Sequence, residues 1–256
     1  MTQQERLLWL IKYLMEEDSE YNRIRVPGSV PEQKRLLRSL MNVRPPKPVT
    51  EEFLQIQDAY LNEETREKGI VRPEDLEPVR DGIYLWQGDI TRLQVDAVVN
   101  AANSALLGCF IPCHGCIDNA IHSAAGVQLR QECAAVMGRQ GRAEDTGGAK
   151  ITKAYNLPCR YVIHTVGPIV YGDLTEEDCG LLASCYQSCL ELASNYGLRS
   201  IAFCCISTGE FHFPNEKAAE TAIETVDAFR RKTGTEMEVI FNVFKDRDKE
   251  IYERLL

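Results

Sequence analysis

The sequence has no stretch approaching the roughly 18 consecutive apolar residues of a membrane-spanning helix, so a helical membrane protein is not expected. Its opening residues, MTQQERLLWLIKYLMEED, lack the basic-then-apolar order and the small-residue cleavage site of a secretory signal. Positive charge is also short: 29 Lys and Arg stand against 38 Asp and Glu, a net charge of −9. That balance opposes general binding to nucleic acid or to anionic membranes. An anionic small ligand would need a local cradle of backbone amides instead. There is no internal repeat and no low-complexity segment. Cysteine, by contrast, is plentiful, with ten residues. Without an export signal, that many cysteines point to thiols and metal rather than a disulfide scaffold, and the expected location is the cytoplasm. At 256 residues the chain exceeds the common domain size of roughly 100–150 residues, which leaves room for one large domain or a domain with an extension.

Leu7, Leu8, Ile11 and Leu14 recur at helical spacing, as do Leu36, Leu37 and Leu40 after Pro31. VRPPKPVT then forces an extended connector, and Thr50 with Glu51 and Glu52 suits a capped new helix through Tyr60. From Ile83 the period changes. IYLWQGDIT, DAVVNAAN, YVIHTVGP, SIAFCCIS and MEVIFNVF are short, apolar and β-branched, with helical stretches predicted over 117–137, 177–196 and 215–232. Near-continuous apolar strands imply a largely parallel sheet covered on both faces. The expectation is an α/β domain over 82–256, bounded near Gly82, preceded by a helical extension over 1–81.

In such sheets ligands bind at the carboxyl ends of strands. Three loops are predicted to converge there. The loop at 100–119 is the most unusual, because GCFIPCHGCIDNAIH places three cysteines and a histidine within nine residues. Cys109, His114 and Cys116 offer two thiolates and an imidazole, enough for one tetrahedral ion with a position left open. Cys113 is a possible fourth ligand that would close the site, although it adjoins His114 and the two cannot readily face one ion. Thiols without metal remain a further alternative. In GDIT, Asp89 either accepts a hydrogen bond from an exocyclic amine such as that of adenine or caps a turn. Asn103 either donates to a hydroxyl or phosphate or brackets a turn. STGEFHFP, at 207–214, is either a phosphate-holding turn or a structural one. His164 lies within a strand and reads as a core histidine; His122 follows the thiol loop and is a candidate for supporting a ligand. Cys185 and Cys189, on one helix face, and Cys204 and Cys205, on a strand, read as small core hydrophobes.

Taken in order, GDIT, VVNAANS, CIDNAIHSAAG, YVIHTVGP and CISTGEFHFP resemble the macrodomain family of ADP-ribose-binding modules, over about residues 82–256. The resemblance implies a three-layer α/β/α fold with a mixed, largely parallel central sheet. Ordinary members carry a triple-glycine turn where this chain has the cysteine-histidine loop, which resembles the zinc-containing branch known from bacteria and some fungi. That branch is frequently encoded beside a class M sirtuin that ADP-ribosylates a lipoyl-carrier protein similar to the glycine cleavage H protein.

The resemblance assigns Asp89 to the adenine amine, with Ile90 beside it, and Asn103 to the distal ribose. Cys116, Ile117, Asp118 and Asn119 match the first loop around the diphosphate and ribose. Ser207, Thr208, Gly209, Glu210 and Phe211 match the second, Phe211 packing near that ribose. Cys109, His114 and Cys116 match the ligands of one Zn2+ ion, with Cys113 a spectator. His212 stands where many macrodomains have glycine, which leaves the shape of the second loop open. The implied activity is a zinc-dependent, glycosidase-type hydrolase that removes mono-ADP-ribose from Asp or Glu side chains of a target protein. Asn103, Asp118 and the metal-bound His114 form its catalytic set, Asp118 positioning water or capping the following helix. The alternatives are a reader that binds ADP-ribose without turnover around a structural zinc, and a hydrolase of small ADP-ribose esters.

Overall fold

The computed structural model describes residues 1–256, the side chain of Asn22 aside. Helix α1 (Gln3–Glu16) starts at a capping box: Thr2 Oγ1 accepts the Glu5 backbone N–H at 3.2 Å, and Glu5 Oε2 accepts the Thr2 N–H at 2.7 Å. Helix α2 (Val30–Val43) has Pro31 in its first turn, where no N–H is missed. Helix α3 (Glu51–Lys68) is capped by Thr50, whose Oγ1 accepts the Phe53 N–H at 3.1 Å. It continues two turns beyond the predicted Tyr60 and stops at Gly69, φ +81°. Leu7, Leu10, Ile11, Leu14, Leu37, Leu40 and Phe53 from these helices form one apolar cluster, closed by Val127 from the following part of the chain.

A seven-stranded sheet follows: β1 (Pro78–Arg80), β2 (Ile83–Gln87), β3 (Ala97–Ala101), β4 (Ala149–Lys153), β5 (Tyr161–Thr165), β6 (Ser200–Phe203) and β7 (Glu238–Val243). Their spatial order is β1-β2-β7-β6-β3-β5-β4. The five inner strands run parallel, while β1 and β4 pair antiparallel at the two edges, so the sheet is mixed. Every residue of β6 is buried, and so is all of β3 up to Asn100. Because successive side chains point to opposite faces, such strands are covered on both sides. That is the three-layer arrangement the sequence implies.

The covering helices are α4 (Ile117–Ala125), α5 (Val127–Gln140), α6 (Glu176–Asn195), α7 (Asn215–Thr233) and α8 (Asp246–Leu255). One correction concerns residues 117–137, predicted as a single helix. They are two, because Gly126 breaks the chain at φ +94°. A Cβ there would lie 2.6 Å from Gln57 Nε2, and Gln57 Oε1 accepts the Val127 N–H at 3.0 Å, so α3 caps the start of α5 at a place only glycine fits. Strands β1 and β4 and helix α8 were not anticipated. Among the described residues, no helix is long and apolar enough to cross a membrane.

Candidate active site

Because β2, β3 and β6 run in one direction, the three predicted loops leave the same edge of the sheet. From β2 to β3 there are three strand spacings, about 14 Å at roughly 4.8 Å each. The loops thus line an elongated edge.

At the β2 end, Asp89 Oδ1 accepts the Thr91 N–H at 3.0 Å and its hydroxyl at 2.6 Å, capping the short turn that holds the buried Ile90. The other oxygen, Oδ2, is 3.7 Å from Lys68 Nζ at the end of α3. The capping role raised for Asp89 is therefore realised, on one oxygen.

At the β3 end, Cys109, His114 and Cys116 are half-buried, and their donor atoms all lie within 4.8 Å of one another. Cys109 Sγ is 3.7 Å from His114 Nδ1. Cys116 caps α4, its sulfur accepting the Asn119 N–H at 3.4 Å. Burial pushes the Cys116 thiol up to about 12, and neighbouring Cys109 adds to this. Two thiols this close resist ionising together, which is what a bound cation reverses. Soft sulfur donors with an imidazole suit zinc better than magnesium or calcium, so the residues present fit a metal. Cys113 turns away at φ +51°: its sulfur is 3.2 Å from Ser39 Oγ and 3.4 Å from the Arg35 carbonyl on α2.

Behind the three donors lies Asp118, in the first turn of α4. Asn100 donates to its Oδ1 at 2.8 Å, Asn103 reaches its Oδ2 at 3.5 Å, and burial lifts its carboxyl to about 6. Asn103 also donates to the Gly108 carbonyl at 3.2 Å, while its Oδ1 accepts the Ala105 N–H at 3.1 Å. Ile117, at the first helical position, is half-buried. Asn119 is fully buried, with its amide engaged by the loop and by Arg38.

The second loop closes on this group. Ser207 and His212 both take the left-handed conformation, φ +64° and +57°. The latter explains why glycine suits that position and shows that histidine is accommodated. Thr208 Oγ1 ties back to the Cys205 carbonyl at 3.0 Å, the Gly209 carbonyl accepts the His212 N–H at 3.1 Å, and the Phe211 carbonyl accepts the Val170 N–H at 2.9 Å. A Cβ on Gly167 would lie 2.0 Å from Ser207 Oγ, so the VGP glycine after β5 lets the second loop pass. The exposed Glu210 places Oε1 3.7 Å from His114 Nε2, joining the second loop to the donor cluster.

Three residues with direct ties to this site carried no sequence signal: Arg38 and Asn42 on α2, and Arg130 on α5. His164 sits where a core histidine was read. His122 is buried, with Nε2 3.5 Å from Asp118 Oδ1, and with Cys133 and His164 forms a second close group inside the core.

The Macro domain family pattern matches residues 99–222. A protein-ADP-ribose hydrolase of Treponema medium is 55% identical over 100% of both chains. The chain belongs to the macrodomain family. A Trypanosoma brucei macrodomain, solved in complex with ADP-ribose, is 32% identical with a TM-score of 0.67, covering 85% of this chain and 94% of that one. An Oceanobacillus iheyensis macrodomain variant solved with ADPR is 36% identical with a TM-score of 0.62, covering 70% of this macrodomain and 94% of its own chain.

Proposed function

We propose that this macrodomain is a protein-ADP-ribose hydrolase that uses one zinc ion to remove mono-ADP-ribose from aspartate or glutamate side chains. The observation that carries the reading is the meeting of Cys109, His114 and Cys116 at the start of α4, beside Asn103 and Asp118. Residues 82–256 are the binding and catalytic domain and residues 1–81 the helical extension. Its ten cysteines are all unpaired, which suits a reducing cytoplasm.

ADP-ribose lies along the strand ends. Asp89 takes the adenine amine through the oxygen not used in its cap, with the Ile90 backbone beside it. The turn amides from Ser207 through Gly209, with Glu210 and Phe211 beyond them, and the α4 terminus at Cys116, Ile117 and Asp118, backed by Asn119, hold the diphosphate and distal ribose without basic side chains. Asn103 orients that ribose.

The reaction breaks the bond between the anomeric carbon and the carboxylate oxygen of the target; water supplies hydroxide to the carbon and a proton to the departing side. Cys109, His114 and Cys116 would hold the zinc, which when bound would supply Lewis acidity toward oxygen or a water whose pKa is lowered to roughly 7. Asp118 Oδ2, next to Asn103, is the carboxylate that positions a water or holds its proton, and an environment that lifts its carboxyl suits proton exchange near neutrality. The orientation of Cys113 toward α2 counts against a closed four-residue cage and so against a purely structural metal.

The test is incubation of a protein carrying ADP-ribose on Asp or Glu with wild type and with Cys116→Ala. A lipoyl-carrier protein modified by a class M sirtuin is the first substrate to try. Wild type releases free ADP-ribose, and Cys116→Ala does so at least a hundredfold more slowly. Complete retention of the modification by wild type returns the protein to the role of a reader, and equal release by both removes zinc from the chemistry. Cleavage of small ADP-ribose esters alone moves the substrate from protein to small molecule.

A further inference from the structure

We propose that α2 of the helical extension is a wall of the active site, with Arg38 the positioning residue that fixes the metal-binding loop. The inference rests on the metal reading above only for one of its two measurements.

The loop at 107–116 contains turns and bends but no helix or strand, and beyond Leu107, which packs on the main core, its apolar side chains Phe110 and Ile111 are exposed. It has no core of its own, so its shape must come from neighbours. Arg38 Nε and Nη2 donate to Asn119 Oδ1 at 3.1 and 2.7 Å, and Nη2 also donates to the His114 carbonyl at 3.1 Å. This sets the orientation of the Asn119 amide. An asparagine has one accepting and one donating end, whereas a guanidinium only donates. Oδ1 must therefore face Arg38, which turns Nδ2 toward the loop. There it donates to the Ile111 carbonyl at 2.9 Å and reaches the Cys109 carbonyl at 3.5 Å, while the Asn119 backbone N–H meets Cys116 Sγ. One residue of α2 thus braces, directly or through the Asn119 side chain, the backbone of two of the three donor residues, His114 and Cys109, while the third, Cys116, is held by the cap of α4.

Two further contacts act in the same sense. Asn42 Oδ1 accepts the Cys113 N–H at 2.9 Å, and its Nδ2 donates to Ser123 on α4 at 2.9 Å, holding the left-handed turn before His114. The buried Arg130 donates through Nε to the Leu107 carbonyl at 2.7 Å and through Nη1 to the Met41 and Asn42 carbonyls at 3.0 and 2.8 Å. Its guanidinium lies 4.3 Å from the centre of the Phe110 ring. The loop is therefore clamped between α5 and the last turn of α2. The relative whose name states hydrolysis aligns over the whole of this chain, extension included.

The experiment compares the full-length wild type with Arg38→Met and Arg38→Lys by hydrogen exchange of the 107–116 amides and by zinc affinity in competition with a chromophoric chelator. Arg38→Met raises loop exchange at least tenfold with the sheet amides unchanged, and lowers zinc affinity by roughly ten- to a hundredfold, the usual effect of removing a residue that orients metal ligands. Arg38→Lys, which keeps the charge but loses the fork, falls between. Loop exchange and zinc affinity within twofold of wild type in both variants would overturn the proposal. Should Arg38→Met not fold, Arg38→Lys and Asn42→Ala decide it on the same two readouts. If wild type itself binds no zinc, the metal reading fails while loop exchange still decides the role of Arg38.

Discussion

Asn100 and His164 face each other in register on β3 and β5, with Asn100 Nδ2 3.1 Å from His164 Nδ1. The asparagine can only donate there, so Nδ1 accepts and the proton of the neutral ring sits on Nε2, 2.9 Å from Thr152 Oγ1. Burial holds this imidazole down, to about 4.

The consequence for stability has a definite sign. An unfolded histidine titrates near 6.5. Between the two values the unfolded chain carries the proton and the folded one does not, so stability is complete above about 6.5 and is lost as pH falls toward 4. For this group the loss between pH 7 and pH 5 is about 2 kcal/mol. His164→Gln, compared with wild type by urea denaturation, is the less stable protein at pH 7, and its deficit narrows by that amount at pH 5. Parallel pH profiles would show that His164 does not titrate as described.

Cys113 provides a second test. Its sulfur lies against Ser39 and the Arg35 carbonyl, away from Cys109 and Cys116. Cys113→Ala keeps one zinc per chain by elemental analysis and keeps hydrolysis within about threefold of wild type, whereas Cys109→Ala loses the metal. Loss of zinc in Cys113→Ala would mean a closed four-residue site and would favour a reader.

At His212 the left-handed backbone conformation costs a side-chain-bearing residue about 1–2 kcal/mol, against roughly 0.5–1 kcal/mol of unfolded-chain entropy that glycine adds. His212→Gly is therefore more stable than wild type by about 0.5–1 kcal/mol, and His212→Val is less stable by more than 1 kcal/mol, both read from thermal unfolding. A destabilised His212→Gly would show that the imidazole makes a favourable contribution that outweighs the strain.

The five inner strands could be read from sequence because continuous apolar, β-branched runs are what burial on both faces demands. The edges could not. Pro78–Arg80 is three exposed residues long, and Ala149–Lys153 carries two lysines, so neither has the composition of a buried strand. Within the site, Cys109, His114 and Cys116 were legible because they are close in sequence as well as in space. The bracing residues were not: Arg38 is 81 positions from Asn119, and Arg130 is 88 from Asn42, and nothing in an arginine on a helix discloses which distant carbonyls it will meet. The break at Gly126 belongs to the same class, since it depends on Gln57 arriving from α3.

The two rims of the sheet also bear on how copies of the protein can associate. Pro78 has no N–H to offer to an incoming strand, and the exposed Lys153 puts charge on the opposite rim. Both rims thus work against the lengthening of this sheet by a strand from a second chain.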